Sequence, residues 1–265
     1  MRNQEQINHN IYRLTTPYKD IFTTVYLLQS PRGTVLFDAA SYDEDMEETI
    51  LPWLRQLDAV PSYVFISHNH KDHSGGLGRL LREYPDLKVL SGSPTLKEAY
   101  GDRVIVPEDG GLLLETFRVV AIPGHTQDSS SLLDLRTMTL ISGDCLQQIG
   151  IIGSGDWACN ISYPAEYLKT IERLCAMDIK QILTAHDYVP CGYRADGEAE
   201  VSAMLDSCVL PLRQIRDLIL AYPQETDGDV RARFHADPAM PTVSERVVTI
   251  LRKAMETGIL PNLSE

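Results

Sequence analysis

The stretch His68-Asn69-His70-Lys71-Asp72-His73 follows directly on Tyr63-Val64-Phe65-Ile66-Ser67, and its reading decides the fold. Residues 63–67 are a short buried strand bounded by polar sequence. Past it, four side chains able to ligate a metal fall within six positions. In extended backbone, residues two apart point the same way, so His68 and His70 can face one metal. Asp72 and His73 lie past the bend and can face a second. The alternative is a polar loop leading into a helix over about Ser74 to Tyr84. Clustered histidines at a strand end have no common structural use, and the metal reading takes precedence.

Upstream, the first forty residues read as strands. Ile21 to Leu28 is rich in β-branched and aromatic types, and Thr34 to Phe37 is apolar. The turn Ser30-Pro31-Arg32-Gly33 between them implies a hairpin. Asp38 stands where the second strand ends. Asp43, Glu44, Asp45, Glu47 and Glu48 crowd the first turns of a helix expected to run to about Leu57. They are read as partners of the positive end of the helix dipole rather than as a cation site.

Downstream come a strand at Lys88–Leu90, a short helix at Pro94–Tyr100, and strand-like runs at 103–106, 112–122 and 130–142. His125 follows an apolar strand in Ile122-Pro123-Gly124-His125. Asp144 ends another in Ile141-Ser142-Gly143-Asp144. Ser162 is expected to cap a helix whose apolar residues Tyr167, Leu168, Ile171, Leu174 and Cys175 recur at helical spacing. Gln181–Thr184 reads as the last clear strand, ending at His186. Singly, each such histidine or aspartate is an ordinary turn residue. Together they gain weight, because open sheets gather functional residues at one end of their strands. His9 and His235 fall outside this pattern.

After about Arg194 the character becomes helical. Val201, Met204, Leu205, Cys208, Val209, Leu212, Ile215 and Ile219 trace one face, with a kink expected at Pro211. A stretch from Pro223 to Asp229 separates it from a last helix, opened by Thr242-x-x-Glu245 and stopping near Gly258. Residues 1–194 are therefore read as the catalytic domain and 195–265 as a helical extension.

Composition sets bounds. Of 265 residues, 43% are hydrophobic and 23% charged, the balance of a globular protein. A formal net charge of −13 makes nucleic acid and anionic membranes poor partners. No apolar run approaches the ~20 residues of a membrane span. The polar start MRNQEQINHN and five scattered cysteines without C-x-x-C lead to the expectation of a cytoplasmic protein with reduced thiols.

The ordered series Asp38, H-x-H-x-D-H at 68–73, His125, Asp144 and His186 resembles the five motifs of the metallo-β-lactamase superfamily over about residues 10–190. The resemblance implies an α/β fold: a four-layer αββα sandwich of two mixed sheets with a dinuclear site at one edge. Carried over, His68, His70 and His125 hold the first metal, Asp72, His73 and His186 the second, and Asp144 bridges both. Asp38 looks like the acid that orients a ligating histidine. The implied cofactors are two divalent metal ions, Zn²⁺ first, with Fe or Mn as alternatives. The implied chemistry is attack by a metal-bridging hydroxide, with Asp72 and Asp144 as catalytic residues.

Absences narrow the branch. True β-lactamases of this fold act outside the cytoplasm, and their commonest branch has cysteine where Asp144 stands. The flavodiiron pattern H-x-E-x-D-H has glutamate where His70 stands. Lactonases resembling this core have tyrosine three residues after the bridging aspartate, where this chain has Gln147. The glyoxalase II-like hydrolases remain, and the expected substrate is a small-metabolite ester, thioester or lactone. Two alternatives stay open: an iron oxygenase resembling the persulfide dioxygenases, and a metal-loaded sensor without turnover. Cys145 reads as a buried small residue, and Tyr188 and Tyr193 as candidate pocket residues. The helical tail could line the site or form a homodimer.

Overall fold

The computed structural model describes residues 4–151, 159–240 and 242–259. Two compact units alternate along the chain. The first comprises Met1–Ala121, Asp128–Arg136 and Ile141–Gly143, the second Ile122–Gln127, Thr137–Leu140 and Asp144–Glu265.

The first unit carries a seven-stranded sheet in sequential order. It consists of β1 (Gln4–Gln6), β2 (Ile11–Tyr18), β3 (Ile21–Ser30), β4 (Gly33–Phe37), β5 (Tyr63–Phe65), β6 (Lys88–Leu90) and β7 (Val104–Ile105). Strands β1 to β4 are antiparallel, and the expected hairpin closes with Ser30 opposite Gly33. From β4 to β7 the pairing is parallel, so each connection must cross over. Helices supply the crossovers. Helix α1 (Asp43–Asp45) runs through a π-helical turn at Met46–Ile50 into α2 (Leu51–Gln56). Between β5 and β6 lie α3 (Lys71–Ser74) and α4 (Leu77–Glu83), and α5 (Pro94–Tyr100) precedes β7. Met46, Ile50, Trp53, Leu54, Leu77, Leu80 and Leu96 pack with Leu27, Leu36, Val64 and Val89 in one apolar core.

Three acids of the run at 43–48 find partners within the protein. Asp45 accepts the backbone N–H groups of Ser41 and Tyr42, Asp43 pairs with Arg82, and Glu47 with Arg79.

A second sheet has the order β13-β12-β11-β10-β9-β8. Its strands are β8 (Leu112–Leu113), β9 (Phe117–Ala121), β10 (Ser130–Asp134), β11 (Thr139–Ile141), β12 (Gln181–Leu183) and β13 (Arg194–Asp196). Two continuous runs in the sequence each become two strands here, because turns at Leu114-Glu115 and Met138 take positive φ and fold them back. The sequence reading makes β12 the last strand, but β13 pairs with it, Gln181 opposite Asp196. Only Ala195 of β13 is buried, so no period-two pattern announces it.

In the second unit, α6 (Pro164–Cys175) begins one residue later than a Ser162 cap allows. Pro164 takes the first helical position and Tyr163 becomes the cap, which suits the fixed φ of proline. Its buried face is Tyr167, Leu168, Ile171 and Leu174; Cys175 is exposed instead. Helix α7 (Gly197–Ala221) continues as one element through Pro211, with all eight expected face residues buried. Helix α8 (Asp227–His235) begins inside the Pro223–Asp229 stretch expected to separate two helices and runs on beyond it. It is opened by Thr226 and Asp229, each side chain bonding the other's backbone N–H. The final helix α9 (Glu245–Glu256) is capped at Ser244, not Thr242. Val243 N–H is donated to His235 Nε2 at 2.9 Å, which ties that segment to the end of α8. Gly258, at φ 65°, follows the helix as expected. Among the described residues no helix is long and apolar enough to cross a membrane.

Candidate metal centre

Strands β4, β5 and β6 are parallel and in register, Phe37 beside Phe65 beside Leu90. The segments leaving their C-terminal ends therefore emerge together. Asp38 is one residue past β4, at φ 66°, a conformation aspartate tolerates better than most side chains. Its N–H donates to Phe65 O at 2.8 Å, which locks it against the exit of β5. Its carboxylate, fully buried, gathers three donors. Oδ1 accepts Ser67 N–H at 2.7 Å; Oδ2 accepts Ser67 Oγ–H at 3.0 Å and meets His73 Nδ1 at 2.7 Å. Burial pushes this carboxyl above its ordinary value, against the opposing pull of His73 and Ser67.

Since Ser67 gives its proton to Asp38, its oxygen can only accept from His68 Nδ1, 3.0 Å away. One buried acid thus fixes two imidazoles, His73 directly and His68 through Ser67, and both have Nδ1 engaged. Nε2 is the atom left for a metal. Helix α3 starts inside the motif: His70 is its cap residue, and its carbonyl accepts from His73 N–H and Ser74 N–H. This brings Asp72 Oδ2 to 3.5 Å from His73 Nε2 and the rings of His68 and His70 to 4.6 Å between centroids. His68, Asp72 and His73 are buried, His70 half-buried.

His125, Asp144 and His186 follow further along the chain. The segment before His125 lies against α6: Pro123 O accepts Thr170 Oγ–H at 2.8 Å and Gly124 O accepts Tyr163 N–H at 2.8 Å. Only glycine fits at 124, since a Cβ there would stand 2.6 Å from Tyr167 Cα. His125 Nδ1 meets Asn160 O at 2.6 Å and Gln147 Nε2 at 2.8 Å. Gly143, at φ 56°, turns the chain into Asp144; a Cβ at 143 would press on Ser67 Oγ at 2.7 Å. The two oxygens of Asp144 address different rings, Oδ1 at 3.1 Å from His186 Nε2 and Oδ2 at 3.7 Å from His125 Nε2. Beyond β12, Thr184 Oγ–H donates to His186 O at 2.8 Å, and the Tyr188 ring stands edge-on to His186 at 5.7 Å.

Among the described residues, two groups of side chains could each hold a metal ion, their ligand atoms within 4.8 Å of one another. One is His68, His70, His125 and Asp144; the other is Asp72, His73, Asp144 and His186. All seven side chains named from sequence as ligands are in these groups, and Asp144 is in both. Imidazole and carboxylate donors suit Zn²⁺, Mn²⁺ or Fe. The engaged Nδ1 atoms of His68 and His73 are the arrangement such ions select.

The remaining expectations resolve simply. His9 is exposed, and His235 accepts a backbone hydrogen bond. Cys145 is buried, and burial pushes its thiol well up, as for an inert core cysteine. Tyr188 is buried and Tyr193 half-buried. A loop over Gln147–Asn160 is also a sequence-based candidate for a pocket wall, and its residues 152–158 lie outside the described residues. Sequence reasoning missed Ser67, Gln147 and Asn160 as partners of the ligands. Only Ser67, adjacent to the motif at a strand end, carried a usable signal.

The sequence pattern of the metallo-beta-lactamase superfamily matches residues 18–186, well over half the chain, and the chain belongs to that superfamily. It is 30% identical to the uncharacterized protein YobT of Bacillus subtilis over 53% of this chain and 69% of that one. It is 29% identical to a hydroxyacylglutathione hydrolase of Yersinia pestis, covering 52% of this chain and 53% of the relative, about half that protein's length. A metallo-beta-lactamase from Pontibacter korlensis superposes with a TM-score of 0.61 at 18% identity, over 77% of this chain and 97% of the other. That structural likeness shows the fold: two mixed sheets with helices in an α/β sandwich, carrying helices at the C-terminal end, as read from the sequence.

Proposed function

We propose that this protein is a dinuclear metal-dependent hydrolase of a small-metabolite ester, thioester or lactone, of the glyoxalase II-like type. The observation that carries the reading is Asp144, whose two carboxylate oxygens face the Nε2 atoms of two different histidines. A carboxylate so placed suits a bridge between two cations. His68, His70 and His125 would hold one, Asp72, His73 and His186 the other, with Zn²⁺ the first choice and Fe or Mn the alternatives. Bound there, such ions would supply Lewis acidity and lower the pKa of a bound water to about 7.

The chain's own groups do the rest. Asp38 and Ser67 keep the His73 and His68 rings in the ligating tautomer. Asp72, buried beside His73, accepts a hydrogen bond from the attacking water and aims it at the carbonyl carbon. Acyl–oxygen or acyl–sulfur cleavage follows, and the leaving group departs as an alcohol or thiol. The hydroxyacylglutathione hydrolase among its relatives makes a glutathione thioester the first substrate to try. The same reading keeps residues 1–194 as the catalytic domain and 195–265 as a helical extension. It takes the partner to be a small molecule rather than nucleic acid or membrane, the compartment to be the cytoplasm, and a homodimer to be the assembly to test.

The test joins metal analysis to turnover. Protein grown without added metal is analysed by mass spectrometry and assayed on ester, thioester, lactone and phosphodiester substrates. Two metal equivalents with ester or thioester turnover, both lost in Asp144→Ala, support the proposal. A single iron with thiol-dependent oxygen uptake, or full metal loading without turnover on any substrate, overturns it.

A further inference from the structure

Gln147 makes contacts that the hydrolytic chemistry does not require. Its side chain is buried, 3% exposed, with both ends of the amide engaged. Asn160 N–H donates to Oε1 at 2.5 Å, and Nε2 stands 2.8 Å from His125 Nδ1. The first contact fixes the orientation of the second. A backbone N–H can only donate, so the amide oxygen must face Asn160 and the NH₂ group must face His125. Meanwhile Asn160 O, which can only accept, stands 2.6 Å from the same Nδ1.

A neutral imidazole cannot satisfy both neighbours. With its proton on Nδ1 it donates to Asn160 O, and Nε2 has a lone pair for a metal. With Nδ1 bare it accepts from Gln147, and Nε2 carries the proton and cannot ligate. Asp144 Oδ2, at 3.7 Å from Nε2, is too far to hold that proton by a hydrogen bond. The contrast with His73 is direct: its Nδ1 faces the Asp38 carboxylate at 2.7 Å, an acceptor in every state of the ionised acid.

We propose that Gln147 is a positioning residue that competes with Asn160 for His125. It weakens the first metal site, which contains His125, relative to the second, whose His73 faces the Asp38 carboxylate directly, so the two sites fill in order. This inference rests on the dinuclear reading. At low metal availability one cation would be held by Asp72, His73, Asp144 and His186, and His125 would be engaged only at higher availability. Gln147 thereby sets the metal concentration at which the centre becomes dinuclear.

Two variants test it. Gln147→Glu keeps an acceptor for Asn160 and turns the competing donor into a second acceptor. Gln147→Leu removes the donor from the His125 side together with the acceptor for Asn160 N–H. The readouts are Zn²⁺ titration of the metal-free full chain against a chelator, and ¹⁵N NMR of its histidine rings. In wild type the His125 signals should show the Nε2–H form populated without metal, and the two Zn²⁺ constants should differ. Gln147→Glu should tighten the weaker site about tenfold, the low end for partners of metal-ligating histidines, and leave the tighter one unchanged. Both variants should move His125 to Nδ1–H in the metal-free state, a shift that a purely structural role would not produce. An Nδ1–H form already complete in wild type overturns the proposal, as does equal tightening of both sites by Gln147→Glu. Binding of one equivalent only, in all three proteins, overturns the dinuclear reading and ordered loading with it. The ¹⁵N pattern still decides whether Gln147 holds His125.

Discussion

Asp38→Asn preserves the size of the side chain. It also preserves the backbone at φ 66°, because asparagine tolerates positive φ as well. What changes is one oxygen. In the wild type, Oδ1 accepts Ser67 N–H at 2.7 Å, and Oδ2 takes both Ser67 Oγ–H and His73 Nδ1. If the asparagine oxygen stays on Ser67 N–H, its NH₂ group confronts the Nδ1–H of His73, donor against donor. His73 must then move its proton to Nε2, the atom required by a metal. A hydrogen bond to a charged group is worth about 1.5–3 kcal/mol, and a factor of ten in affinity is about 1.4 kcal/mol. The expected loss is therefore about 10–100-fold in affinity at the site containing His73, in line with other partners of metal-ligating histidines. Zn²⁺ titration against a fluorescent chelator measures it, and thermal unfolding of the metal-free variant confirms that it folds. Two unchanged Zn²⁺ constants in a folded Asp38→Asn protein would refute the assignment of Asp38 as the group that orients His73.

Gly124→Ala should destabilise the protein by about 1–3 kcal/mol, the usual range for overpacking, because the new methyl would stand 2.6 Å from Tyr167 Cα. Metal content should fall with it; an unchanged Tm would mean that the segment before His125 is not pressed on α6. Chelator treatment should abolish turnover while far-ultraviolet circular dichroism persists, since an apolar core independent of the ligands holds the helices and strands of the first unit. Zn²⁺ should restore activity, and loss of the dichroism signal with the metal would contradict this. A pH effect is expected between α8 and α9. Partial burial raises the Asp227 carboxyl, but Thr249 and Arg252 outweigh it and hold the group below its ordinary value. The folded state thus binds this proton less readily than the unfolded chain, so the contribution is present above the ordinary aspartate range and is lost as pH falls through the lowered value. Asp227→Asn should lower stability by up to about 1 kcal/mol at pH 7 and have little effect near pH 2, read by denaturant unfolding at both values.

The candidate metal ligands were legible because they follow strand ends with an apolar run before them, and because paired donors two apart share a face. Asp38 was legible for the same reason. What the sequence concealed were contacts whose chemistry lies in geometry rather than residue type. Gln147 has no ionisable group, and its hold on His125 depends on Asn160, thirteen positions further on. Helix α8 was hidden because it buries only Val230 and Phe234, too few apolar side chains to trace a stripe, and its opening pair is threonine and aspartate rather than threonine and glutamate. Strand β13 escaped because it is an edge of three residues, two of them charged. The cap of α9 lies at Ser244 rather than Thr242, and the residue before it, Val243, is held through its N–H by His235.

The dependence of two imidazoles on one carboxylate sets a condition for protein engineering. A hexapeptide copied from residues 68–73 into a foreign scaffold would bring the donors without the strut that aims them, since Asp38 is donated by a neighbouring strand thirty residues upstream. A transplant able to capture zinc would have to carry both parallel strand ends and the serine between them, so the smallest portable module is a pair of adjacent strands rather than a loop.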